Sequence, residues 1–116
     1  MNEYTPDRWV IVRINSSEGK IDKILGSWYG GFAGSDEWRF SSGITKIEEK
    51  LDHQYPHYLI HNHSGSIYTC HKNNIGMSTY TSSVYNSYKK KIEDTGGSMD
   101  IIRVEDYLGT NDYNRN

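Results

Sequence analysis

At 116 residues and 13.4 kDa the chain has room for one hydrophobic core and not for two. Thirteen basic and fifteen acidic residues leave a net charge of −2, which excludes the global basic field that general nucleic-acid binding requires. Ile, Leu, Val and Phe number only 22, so ten Tyr and three Trp must supply much of the buried area, as an amphipathic aromatic core. A single Ala, Ala33, argues against a helical bundle, whereas twelve Ile and ten Tyr favour strands.

In chain order, Arg8 to Ile14 reads as a central strand, with Val10, Val12 and Ile14 on one face and Trp9, Ile11 and Arg13 on the other. A turn at residues 15–19 leads to a hairpin partner, Lys20 to Tyr29, whose alternation slips at Ile24-Leu25-Gly26 and suggests a bulge near Gly26. A glycine-rich loop, 30–35, precedes a third strand at Glu37 to Ser42, and Gly43 separates it from a fourth at Ile44 to Glu49. His57 to Asn62 and Ser66 to His71 flank His63-Ser64-Gly65 as a second hairpin. Ser78 or Thr79 can cap a helix reaching about Asp94, with Tyr80, Val84, Tyr88 and Ile92 as its core-facing stripe and Gly96-Gly97 as its end. Met99 to Glu105 is the last strand. The expected fold is α+β: one domain over residues 1–116, a curled antiparallel sheet of six to seven strands with one helix on one face, its core at 8–105 and a frayed tail at 106–116.

One cysteine, Cys70, excludes an internal disulfide and fits a reducing compartment. The amino end has neither the basic nor the apolar region of a signal peptide, and no apolar run approaches the ~20 residues of a membrane span. A cytoplasmic chain without membrane association is the expectation.

Three histidines, His61, His63 and His71, fall close together. Three imidazoles can hold zinc, but no Asp or Glu lies between His57 and Lys91 to complete a carboxylate-containing site, and the spacing matches no metal motif. The plain alternative is polar hairpin-tip residues bonded to the turn, and neither a metal nor a cofactor is expected. Cys70 and His71 are adjacent and point apart in a strand, so Cys70 reads as a small buried residue rather than a nucleophile.

The glycine loop lacks the Gly-Lys-Ser/Thr of a P-loop and is either a long hairpin connection or a place where a ligand approaches backbone N–H groups. Trp28, Tyr29 and Trp38 beside it can stack on a base, although Trp38 and Phe40 also suit plain core packing. Arg39 can fork onto a phosphate. Asn62, His63, Ser64, Ser78 and Thr79 add amides, hydroxyls and a helix amino end, donors that suit holding an anion more than transforming it. The expected ligand-binding set is therefore Trp28, Tyr29, Gly30, Gly31, Trp38, Arg39, Asn62, His63, Ser64, Ser78 and Thr79, with no catalytic and no metal residue.

The segments Trp28 to Phe32, Ser41 to Ile44 and His61 to His71 resemble those of small accessory proteins encoded by tailed bacteriophages, over roughly residues 8–105. No functional residue carries over from that group. The resemblance implies an accessory protein acting in bacterial cytosol, a class that often antagonises host defence. Together these readings point to a non-enzymatic counter-defence module that binds and sequesters a small nucleotide-type signal, with a homo-oligomer supplying the wall that so short a chain lacks. Two alternatives stay open: a protein–protein inhibitor of a host defence enzyme or nuclease, acting through its aromatic surface, and a small hydrolase using His61, His63 and His71.

Overall fold

The computed structural model describes residues 2–30, 36–51 and 54–114. Among them eight strands and two α-helices follow in the order β1 (Glu3–Tyr4), β2 (Arg8–Ser16), β3 (Gly19–Trp28), β4 (Glu37–Phe40), β5 (Ile44–Lys50), β6 (His57–Asn62), β7 (Ile67–His71), α1 (Thr79–Asp94), β8 (Ser98–Ile102) and α2 (Val104–Asn114), with a single 3-10 turn at Lys72–Asn74 between β7 and α1. The fold is α+β, and every strand pairing is antiparallel except the short β1–β7 ladder.

The sheet curls into two four-stranded layers rather than one continuous sheet. Sheet A runs β1-β7-β6-β5 and sheet B runs β4-β3-β2-β8. The chain crosses between them at Ser41-Ser42-Gly43. Buried Ser41 fixes the corner: its N–H donates to the Ile24 carbonyl and its hydroxyl accepts from the Ile24 N–H, both at 2.9 Å. Gly43 has φ +150°, and a Cβ there would stand 2.9 Å from Ile21 Cδ1, so only glycine fits without displacement.

Sheet B is covered on both faces. Trp9, Ile11 and Ile24 pack against Tyr58, Ile60, Tyr68 and Cys70 of sheet A, while Val10, Val12 and Leu25 pack against Tyr85 of α1 and Met99. This explains Ile24-Leu25. Neither is displaced by a bulge; the β2–β3 register runs unbroken past Gly26, and both are buried because each face has a cover. Glycine at 26 makes room for Pro6, whose Cβ would lie 3.1 Å from an added methyl. The register shift instead falls in β5, between Ile44 and Lys46.

α1 begins where Ser78 accepts the Thr81 N–H at 3.2 Å. Its buried residues are Thr81 and Tyr85, one position round from the expected stripe; Tyr80 is 44% and Tyr88 37% exposed. The segment expected to fray is helical from Val104. Asp106 accepts the Arg103 N–H at 2.9 Å, a bond that holds its carboxyl below the usual range, and Val104 and Tyr107 are buried. Among the described residues no helix is long and apolar enough to cross a membrane.

Candidate functional site

The helix-side end of sheet B gathers a cation, several rings and a helix amino end. Arg8 and Ser27 are register partners, so they share the face that α1 covers. Just past β3, Tyr29 continues towards Arg8: its hydroxyl accepts from Arg8 Nε at 2.6 Å, and its N–H donates to Asp7 Oδ2 at 2.9 Å. Gly30, φ +77°, then turns the chain. The Arg8 guanidinium lies across Gly76, where an added Cβ would meet Nη1 at 3.1 Å, and Gly76 ties its own N–H to the Trp9 carbonyl at 2.9 Å. That anchor positions Ser78, whose hydroxyl bonds Asp36 at the entry to β4.

From there Trp38 reaches the α1 surface. It meets Phe40 and Tyr88 edge-on, with centroids at 5.8 and 5.7 Å. An open groove of about 360 Å³ runs along Trp38, Tyr80, Ser83, Val84, Ser87 and Tyr88. Lys91 Nζ stands 5.4 Å from the Tyr88 ring. Of the sequence-predicted residues, this end brings together Tyr29, Gly30, Trp38, Ser78 and Thr79. It adds Arg8, Tyr80 and Tyr88, which the sequence reading did not assign to the site. Gly31 lies outside the described residues.

Arg39 belongs to a different cluster. Adjacent to Trp38 in β4, it points to the opposite face, where its guanidinium covers the Tyr4 ring at 4.9 Å. Tyr4 also meets Trp28 at 6.2 Å and Tyr68 at 4.9 Å, and Trp28 Nε1 donates to the Thr5 carbonyl at 3.0 Å. Burial pushes the Tyr68 hydroxyl up to about 12.

Asn62, His63 and Ser64 form a third group at the β6–β7 turn. His63 N–H donates to the Gly43 carbonyl at 2.7 Å and Ser64 N–H to Ser42 Oγ at 2.9 Å, which places the turn beside the far end of β4. Ser42 lies two residues past the end of β4, at the corner where the chain leaves sheet B, whereas Trp38 lies within the strand. A hollow of about 370 Å³ opens there between Asn2, Ser64, Gly65 and Ser66. Asn62 donates to Ile60 O and Ser66 O, and its buried Oδ1 has no partner among the described residues.

The histidines do not share one centre. His61 Nε2 bonds Glu48 Oε1 at 2.7 Å, so a carboxylate from β5 supplies the partner that the β6–β7 segment lacks. This bond, and then Lys46, draws Glu48 below the usual carboxylate range. His71 pairs across the ladder with His57, ring centroids 5.7 Å apart. Cys70 is fully buried on the other side of β7, and burial pushes its thiol up. Among the described residues no three His, Cys, Asp or Glu side chains converge on a point that could hold a metal ion. No family model, no curated protein and no solved structure matches the chain.

Proposed function

We propose that this chain is a non-enzymatic module that captures a small anionic, base-containing ligand of the nucleotide class at the helix-side end of sheet B. The supporting observation is convergence: the Arg8 guanidinium, the exposed Tyr29, Tyr80 and Tyr88 rings, Trp38 and the amino end of α1 stand at one end of the layer. Rings can stack on a base, while a guanidinium and helix N–H groups favour phosphate oxygens. The groove is open, so a second copy of the chain would supply its missing wall, from the Arg39 cluster or the Asn62–Ser64 turn. We read such capture as sequestration of a defence signal, the role that the sequence resemblance to tailed-phage accessory proteins implies. The exposed rings favour a second reading as well, an aromatic patch that blocks a host protein.

Calorimetry against cyclic oligonucleotides and ADP-ribose derivatives tests both. One ligand should bind and return intact after heat denaturation of the complex. Losing a stacked ring or a charged hydrogen bond costs about 1–3 kcal/mol, so Trp38→Ala and Arg8→Ala should each weaken binding by about tenfold or more while the far-ultraviolet circular dichroism is retained. Silence across the panel favours the protein-binding reading, and recovery of a cleaved product would sink both.

A further inference from the structure

The edge that β2 turns towards β8 is covered in two pieces. β8 pairs with Ile11 to Asn15, while Ile75-Gly76 closes on Trp9 through a single parallel bridge. Between them the chain leaves the sheet at Arg103, whose N–H is held by Asp106 as α2 begins. The break opens into a hollow of about 330 Å³ that reaches the interface between the two sheets. Its walls are Trp9, Tyr58, Ile75, Ile101, Ile102 and Val104. Trp9 Nε1 is already bonded to the His71 carbonyl at 2.8 Å, so the indole offers the hollow only carbon. Ile75 and Ile101, 54% and 46% exposed, hold apolar surface in water beside the opening.

We propose that this hollow is a binding site for an uncharged, mainly apolar molecule the size of a fused two-ring aromatic, separate from the groove beside α1 to which the anionic ligand is assigned. Size and lining carry the inference. An apolar cavity of about 150 Å³ takes one benzene ring. The hollow here is about twice that, at the lower end of the range of small-ligand pockets. The rim bears one cation and one anion, Arg103 and Glu105, whose charges cancel, so no net charge of the lining selects a charged head group.

The full chain, labelled at isoleucine δ-methyls and valine methyls, is titrated with indole, and in parallel with indole-3-acetate and tryptamine. Indole should give saturable shifts at Ile75, Ile101 and Ile102 and leave the Val84 methyls unmoved, and neither charged analogue should bind more than threefold tighter. Val104→Phe, which fills the hollow, should weaken indole at least tenfold. If that variant fails to fold, Ile75→Asp, an exposed change beside the opening, should weaken it at least threefold. Shifts that do not saturate, shifts centred on Val84, tenfold tighter binding of either charged analogue, or affinity unchanged in every folded variant would each overturn the proposal.

Discussion

Arg13 and Asp22 face each other across β2 and β3 through a fork, Nε to Oδ1 at 2.9 Å and Nη2 to Oδ2 at 3.0 Å. Asp22 is 6% exposed, and its hydrogen bond raises the Arg13 pKa. Such a pair adds little net stability, but removing one partner strands a buried charge. Arg13→Met should therefore cost about 3 kcal/mol or more in urea unfolding, and adding Asp22→Leu should recover most of that loss. Equal stability of the single variant and the parent would show that water reaches Asp22. The same residue-scale logic sorts the site. Trp38 and Arg39 are neighbours in a strand, so period-two alternation already sends them to opposite faces. That part was legible from the sequence, and grouping the two in one pocket ignored it. The contact between Arg8 and Tyr29 was not legible, because it depends on the β2–β3 register and on where Gly76 returns.

The elements that were readable are those whose cause is local. The β2–β3 and β6–β7 hairpins follow from turn residues between alternating runs, and α1 begins at its Ser78 cap. β1 was not readable: it has two residues, and its parallel partner Ile67-Tyr68 lies far along the chain. α2 was hidden by its Asn, Asp and Gly content, although an acidic residue three positions after Arg103 is a start signal. The α1 stripe illustrates a subtler limit. A four-residue period names a stripe but not which neighbouring row meets the sheet, and aromatic rings on either row can satisfy it. The buried row carries Tyr85, whose ring packs with Val10, Val12, Leu25 and Met99. Tyr85→Ala should cost about 3–5 kcal/mol. Tyr80→Ala, on the exposed row, should stay within about 0.5 kcal/mol. Thermal or urea melts of the two variants decide, and similar losses would mean that both rows bear on the core.

Across the whole molecule the layers are sheet A, sheet B and α1, and Cys70 sits where the two sheets meet. Reaching it requires the sheets to part, so its chemistry reports on global opening. Its folded pKa lies above the ordinary value of 9.0 because burial disfavours the thiolate. A raised folded value keeps the full contribution to stability below 9.0 and loses it as pH climbs from there, since only the unfolded chain releases the proton. Between pH 7 and 9.5 the parent should lose about 1 kcal/mol more than Cys70→Ala in urea unfolding. Parallel pH dependence in the two proteins would mean that the thiol meets solvent without the sheets separating.

The central strand also sets an order in time. β2 finds β3 across a short turn, but its other edge waits for β8, with Ile11 against Ile102 and Asn15 against Ser98. Its two faces wait as well, one for the β6–β7 hairpin and the other for α1. During synthesis the first hairpin therefore emerges with Trp9, Val10, Ile11 and Val12 bare on both sides, and none of its later covers can dock until most of the chain has followed. Pairings that span so much sequence close slowly, on the millisecond-to-second scale of sheet proteins, and until they do the apolar faces of the hairpin stay open to aggregation.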